Sequence, residues 1–289
     1  MNNHKRITVF GATGKIGKEL LVFLSQANIP TIAVTRNKSK VEIMPNIEWV
    51  EADMSRKETL AQTMKSSKSI LLASSVNEKF TIEQSNVIEI AKQCGVQHVV
   101  KLSSPGADKN SQNFIARPNG EVEDILKSSG LNFTIIQPNS FMQNWLGYFS
   151  ETVQRERRIY EATGEGKKPF IDTRDIAKVA FKILTNVEKH IDKTYLLTGG
   201  IAVNYRQVAE AISKAIGEKV EYISMTNDEA KHRMEKKGMP PMMINTFLAI
   251  AEGQRNGKAD FVNTVAKEIL GKEPISVEEF AKHYSQWFK

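Results

Sequence analysis

The sequence predicts an α/β chain: a doubly wound parallel sheet, with a smaller and mainly helical C-terminal part. Three observations predict it. The apolar run Ile7 to Phe10 stops at Gly11, two further glycines follow at spacing three, Gly14 and Gly17, and then Ile16, Leu20, Leu21 and Leu24 recur at helical spacing. Short apolar strands go on alternating with helical runs, five times over. Past about residue 150 that alternation loosens. Residues 1–150 are therefore expected to form a dinucleotide-binding domain. Residues 151–289 are expected to form a smaller domain, interleaved with the sheet and walling a substrate cleft.

The glycines have a chemical reason. A dinucleotide lays its pyrophosphate on the N-terminus of the first helix, where N–H groups and the positive dipole end point at the anion. A Cβ at the turn would hold the phosphates off the backbone, and the third glycine lets helix and strand pack closely. Spacing Gly-x-x-Gly-x-x-Gly between a buried strand and a helix places Gly11, Thr13, Gly14, Lys15, Ile16 and Gly17 around a diphosphate.

A second strand, Thr31 to Thr35, ends in Arg36-Asn37-Lys38. An NAD site carries an acid near this point to bind the ribose 2′-hydroxyl, whereas an NADP site carries an arginine for the 2′-phosphate. No acid occurs between Thr31 and Lys40. Arg36 offers a donor fork that fits a phosphate, so NADP(H) is the expected cofactor. Lys38 and Lys40 read equally well as a solvated loop.

The third strand, Ile47 to Ala52, leads to Asp53 and Met54. Asp53 either bonds the adenine amino group or caps the helix that follows. The fourth, Ser69 to Leu72, exits through Ser74, Ser75 and Val76, small enough for a cofactor to approach. A helix over 80–93 follows. The fifth strand, His98 to Leu102, ends in Ser103-Ser104. The stretch Pro105 to Pro118 reads as a loop, Asn119 to Ser128 as a helix, and Leu131 to Gln137 as a sixth strand leaving through Pro138 and Asn139. Ligands of such sheets bind outside the carboxyl ends of the strands, so these exits are expected to form one site. Beyond them lie a strand at Ile159-Tyr160, a helix opening near Asp172, a strand at Thr194 to Leu197, a helix over 205–216, a strand at Lys219 to Ser224 and four closing helices.

The chain has 289 residues, 40% of them hydrophobic, enough for one large core or somewhat more. Its net charge of +7 and pI near 9.3 suit anionic partners, and a nucleotide phosphate satisfies that as well as nucleic acid does. The basic run Lys231-His232-Arg233 with Lys236-Lys237 lacks aromatic interleaving and reads as a solvated helix face, against nucleic-acid binding. Cys94 is the single cysteine, so no intramolecular disulfide forms. The polar start lacks a signal-peptide core, and no apolar run reaches the roughly 18 residues that span a bilayer. The expectation is a soluble cytoplasmic protein. The five histidines are scattered without metal-ligand spacing, and no metal is expected.

With Gly11-Ala-Thr-Gly14-Lys-Ile-Gly17, Arg36, Ser103-Ser104-Pro-Gly-Ala107, Gly120-Glu121 to Leu131, Gln137-Pro138-Asn139-x-Phe141-Met142-Gln143-Asn144 and Asp172-Thr-Arg174-Asp175-Ile176-Ala177, the chain resembles the NmrA-like family of atypical short-chain dehydrogenases. The resemblance covers nearly the whole chain, with the motifs in family order. It implies a Rossmann domain with a small C-terminal domain, binding NADP(H). The family includes quinone, triphenylmethane-dye, azo-dye and ergot-alkaloid reductases, and redox-sensing regulators. The chain departs from it where many members have His at Asn119 and Arg at Gln137.

Ordinary short-chain dehydrogenases pass a proton through Tyr-x-x-x-Lys. None of the six tyrosines here has a lysine four residues on. A quinone or conjugated acceptor, once reduced, can take its proton from water or a weak donor. The expected activity is hydride transfer from NADPH to a small electron-poor acceptor such as a quinone. The alternative is an NADP(H)-sensing regulator that binds a protein partner, and homo-oligomer formation stays open. Candidates around the nicotinamide are Ser103, Ser104, Asn119, Asn139 and Asn144, each with a capping or turn role as rival. Phe141, Trp145 and Tyr148 are candidate platforms for a flat substrate, although at helical spacing such residues are more often core.

Overall fold

The structure is a computed structural model and describes residues 6–289. In chain order its elements are β1 (Arg6–Val9), α1 (Lys15–Gln26), β2 (Thr31–Thr35), β3 (Ile47–Glu51), α2 (Ala61–Met64), β4 (Ser67–Leu72), α3 (Phe80–Gln93), β5 (His98–Leu102), α4 (Ala116–Ser128) and β6 (Asn132–Pro138). There follow α5 (Trp145–Tyr148), α6 (Ser150–Glu156), β7 (Arg158–Glu161), α7 (Thr173–Thr185), β8 (Lys193–Leu197), α8 (Tyr205–Ile216) and β9 (Glu221–Ser224). The chain closes with α9 (Asn227–Lys236), α10 (Pro241–Arg255), α11 (Val265–Leu270) and α12 (Val277–His283).

Two compact units result. One takes the chain up to Pro138 together with Thr173–Leu196, and the other takes Asn139–Asp172 and Leu197–Lys289. The division thus falls at Pro138 and not at residue 150, and residues 173–196 belong with the sheet. The reason is local. β8 takes the place beside β6 in the sheet, and α7 packs on α1 through the rings of Phe23 and Phe181, 6.1 Å apart, with the Lys178 ammonium over both.

The seven strands of the first unit run in the order β3-β2-β1-β4-β5-β6-β8, and the pairings from β3 through β6 are all parallel. This is the doubly wound Rossmann arrangement, with its switch of direction between β1 and β4. Strands covered on both faces need continuous burial, and β2 is buried at all five positions. Ile32, Ile70, Leu72, Val99 and Ile135 from the strands, with Phe10 just past β1, meet Met64, Phe80, Val87, Val122 and Leu126 from the helices, with Leu60 just before α2, in one core.

One helix starts earlier than the sequence predicts. α4 begins at Ala116, not Asn119. Asn113 Oδ1 accepts the N–H groups of Ile115 and Ala116, at 2.8 and 3.0 Å, and so caps it. Pro118 is harmless within the first turn, where its missing N–H would have had no partner.

The amino end of β5 carries a buried histidine. Thr134 Oγ1 donates to the His190 carbonyl at 2.7 Å, so it accepts from His98 Nε2 at 2.8 Å. His98 Nδ1 is left without a partner. Burial pushes the His98 pKa down to about 4. The folded imidazole stays neutral while the unfolded one takes up a proton below about 6.5, so stability is lost as pH falls from 6.5 towards 4. The full shift corresponds to about 3 kcal/mol. Urea unfolding at pH 7 and pH 4.5 should show a drop of about 2–3 kcal/mol that His98→Leu removes.

The second unit is built round aromatic side chains. Trp145, Phe149, Phe170, Tyr205, Phe280 and Phe288 form its core with Val208, Ile212 and Val277. β7 and β9 form a separate parallel pair, Ile159 opposite Tyr222. α8 opens with a capping box from Asn204 and Gln207, and α9 with one from Thr226 and Glu229.

Candidate cofactor and active site

β1 leaves the sheet at Phe10, whose N–H donates to the Leu71 carbonyl at 2.9 Å. Gly11 has φ +76°, and a Cβ there would stand 2.5 Å from the Ala73 carbonyl oxygen. Only glycine fits, because the exits of β1 and β4 press together at the switch point. Gly14 N–H closes the turn on Gly11 O at 3.0 Å, and Gly14 then serves as N-cap of α1. It supplies no side-chain cap, and the first turn holds no acid. A Cβ on Gly17 would lie 2.2 Å from Gly11 O, so the first turn of α1 rests directly on the glycine turn. Thr13, Gly14 and Lys15 are exposed, while Ile16 is core and can offer a ligand only its backbone. An exposed, uncapped helix N-terminus behind an open glycine is suited to an anion.

The neighbouring exits line up along the sheet. Arg36 is exposed at the end of β2. Beside it, Asp53 Oδ1 accepts from Ser55 N and Oγ at 2.9 and 2.8 Å. Those two bonds, with a smaller pull from the Arg36 charge, hold the Asp53 carboxyl below the usual range. The two bonds close a turn at Ser55; the helical segments that follow have Arg56 and Leu60 at their N-caps with no side-chain cap, so Asp53 does not cap them. Met54 packs on the core and gives its carbonyl to Asn86 Nδ2. Past β4, Ser74 Oγ accepts from Gln84 Nε2 at 2.9 Å, Ser75 is exposed, and Val76 packs on the core.

The exits of β5 and β6 are tied together by residues the sequence reading passed over. Glu123 is buried on α4 and accepts from Ser103 Oγ at 2.6 Å and Gln137 Nε2 at 2.8 Å on one oxygen, and from Lys127 on the other. Lys101 is wholly buried, and its ammonium donates to Leu102 O and to Asn119 Oδ1, both at 2.8 Å. Burial lowers its pKa to about 7, with Glu123 opposing the shift. Asn119 also gives its Nδ2 to Ile115 O at 2.9 Å. Both ends of the Asn119 amide are therefore spent inside the first unit, and the expectation that it faces the nicotinamide is corrected: it is a buried helix residue. Ser104 Oγ, next to Ser103, is buried and has no partner. Pro138 is buried at the end of β6.

In the second unit, Asn139 gives its N–H to Leu197 O and accepts from Ser140 N–H on its own Oδ1, a turn role. Phe141 is half-buried and bridges to Ile171, and Asn144 is exposed. Trp145 corrects the platform expectation. It is 2% exposed, with the rings of Phe149, Phe170, Tyr205 and Phe280 between 5.0 and 6.5 Å away, so it is core and cannot stack on a substrate. The side chain of Tyr148 lies outside the described residues. Asp172 is fully buried and accepts from Gln143 Nε2 at 2.7 Å.

Sequence reasoning missed Lys101 and Glu123. For Lys101 a signal existed, a lysine inside a strand otherwise read as buried. Among the described residues, no three His, Cys, Asp or Glu side chains are grouped to hold a metal, and no helix is long and apolar enough to cross a membrane.

The NmrA-like family profile matches residues 3–281. The NAD(P)H azoreductase of Xenophilus azovorans is 31% identical over 287 residues, covering 98% of this chain and 99% of that one. Among solved structures, the NADPH-dependent quinone oxidoreductase of Escherichia coli complexed with NADPH superposes with TM-score 0.85, at 22% identity, over 96% of this chain and 99% of the other. The triphenylmethane reductase of Citrobacter sp. complexed with NADP(H) gives 0.83, also at 22% identity and with the same coverage. These two likenesses are of fold, and the fold is the one derived above. The chain belongs to the NmrA-like family.

Proposed function

We propose that the protein binds NADP(H) and reduces a small, flat, electron-poor acceptor such as a quinone. The observation that carries the reading is the first-unit cradle: an open glycine at the uncapped N-terminus of α1, with Arg36 one strand over and no acid from Thr31 to Lys40. The azoreductase and the two reductases bound to NADPH or NADP(H) support it by their likeness. The α1 N-terminus holds the diphosphate, Arg36 recognises the 2′-phosphate, and the unpartnered Ser104 hydroxyl is a group that a bound ligand would satisfy. The cofactor, when bound, supplies the hydride, and the protein supplies orientation.

Titration calorimetry tests the cofactor. NADPH is expected to bind more tightly than NADH, and Arg36→Ala should weaken NADPH by about 10–100-fold, the worth of a charge-assisted phosphate contact, while leaving NADH unchanged. Equal affinity for both before the substitution overturns the assignment. Steady NADPH consumption with a panel of quinones, azo dyes and imines tests the reaction. One observation favours the second reading, a non-catalytic NADP(H)-sensing regulator: the missing Tyr-x-x-x-Lys combined with an Asn119 that is wholly engaged. Tight NADPH binding without turnover of any acceptor, together with a co-purifying protein partner, would select it.

A further inference from the structure

A flat acceptor is best held by a flat apolar face near the reactive end of the cofactor, and the first unit carries one at the carboxyl edge of its own sheet. Arg36 stands at the exit of β2, on one side of the switch between β1 and β4. The adenosine end of a dinucleotide belongs to that side, and its reactive end belongs to the side of β4, β5 and β6. β5 leaves the sheet there at Leu102, and its exit runs through residues 103–115 into α4. Phe114 lies on that exit. It is half-buried, and it is not part of the core that α3 and α4 form with the sheet. Among the described residues no other ring and no cation packs on it.

The backbone under this ring is fixed. Asp108 N–H donates to Ala116 O at 3.2 Å, and Asp108 O accepts from Ser111 N–H at 3.0 Å. Ser111 Oγ accepts from Asn113 N–H at 3.1 Å, and Asn113 Oδ1 accepts from Ile115 and Ala116, so both neighbours of Phe114 are held. Lys109 pairs with Asp124 of α4 at 2.7 Å. A Cβ on Gly120 would lie 2.4 Å from Asp108 C and from Lys109 N, so the exit rests directly on α4. A ring on such a frame loses little freedom when a ligand stacks on it. The same exit begins with Ser104, whose buried Oγ has no partner, a polar atom that a ligand at this edge would satisfy.

Resting on the reductase reading, we propose that Phe114 is the stacking platform for the acceptor and selects planar aromatic acceptors. The phenyl face is electron-rich, and the ring of a quinone is electron-poor. Offset stacking of the two therefore adds to the apolar area that they cover. Phe114 carries no proton and no charge, so it holds the acceptor equally before and during hydride transfer. Its contribution falls on KM and leaves kcat alone. All the residues involved lie in the unit that holds the glycine cradle.

The experiment measures KM and kcat for a naphthoquinone, menadione, at saturating NADPH. It compares the unaltered protein with Phe114→Leu, which keeps apolar bulk and removes the ring, and with Phe114→Tyr, which keeps the ring. NADPH affinity by calorimetry and a thermal melt accompany each. Phe114→Leu should raise menadione KM by about 3–10-fold, the worth of one aromatic pair, with kcat within a factor of about two. NADPH affinity should not change, and the melt should move by less than about 2 °C, as for a residue outside the core. Phe114→Tyr should keep KM within a factor of about two of the unaltered value. An unchanged KM in Phe114→Leu, whatever the melt does, overturns the inference and leaves the reductase reading in place. So does an equal rise in both variants, or weakened NADPH binding in Phe114→Leu, which would put the ring on the cofactor. No turnover of any acceptor by the unaltered protein overturns the reductase reading and the inference with it.

Discussion

Replacing Trp145 by alanine is expected to lower the unfolding free energy by about 3–5 kcal/mol, the range for removing a buried large aromatic. The indole sits among four aromatic rings and is 2% exposed, so truncation leaves a cavity the neighbours cannot close without tilting against one another. Trp145→Phe keeps most of the ring contacts and should cost less than half as much. The check is a urea midpoint for each variant, beside the KM for whichever acceptor is turned over. A core role moves the midpoint and leaves KM alone. An unchanged midpoint with a raised KM would return Trp145 to the substrate and contradict the packing described here.

The second large effect belongs to Gly17. Alanine inside a helix normally gains up to about 1 kcal/mol over glycine. Here the new Cβ would lie 2.2 Å from Gly11 O and 2.8 Å from Ala12 Cα, both backbone atoms that cannot rotate away. The first turn of α1 has to lift off the glycine turn, which dismantles the diphosphate cradle. NADPH affinity in Gly17→Ala should fall by at least about 100-fold, with stability lower by about 1–3 kcal/mol from overpacking. Gly14→Ala makes the useful contrast. Its Cβ would meet only Gly11 O, at 3.2 Å, so the fold should tolerate it. Its Cβ still projects from the helix N-terminus, and calorimetry should show weakened NADPH with a nearly unchanged urea midpoint. Equal affinities for the two variants and the unaltered protein would mean that the diphosphate lies elsewhere.

Much of the first unit was legible because its signals are local. A strand ending in glycine, a helix periodicity beginning three residues later and an arginine at the next strand exit each need only a short window of sequence, and the structure puts Gly11, Gly14, Gly17 and Arg36 where that window implies. Other features depend on side chains far apart in the chain. Asn119 looked like a helix start because the capping residue, Asn113, lay in a stretch read as loop. Its real partner, Lys101, is on a strand eighteen positions back. Asp53 bonds the Ser55 N–H and hydroxyl two residues on, a contact the sequence allowed without requiring. Phe141, Trp145 and Tyr148 carried no mark separating core from platform, since an aromatic stripe at helical spacing suits either. Lys168 offered less still: it is buried, and its backbone pairs with Val203, thirty-five positions away, through a bridge that no periodicity announces.

The discontinuity of the first unit bears on how the protein is made. As the chain leaves the ribosome, β6 is complete at Pro138, but β8, its neighbour at the sheet edge, emerges only after residues 139–172 have passed. Until then the nascent sheet presents an unpaired strand, and the α1 face that Phe181 will cover stays wet. Closing that unit means joining segments across an intervening stretch, which slows its completion relative to an uninterrupted sheet of the same size. A fragment cut at the apparent end of the nucleotide-binding half would carry an edge open to self-association, and an excised half should be built from 6–138 joined by a short linker to 173–196.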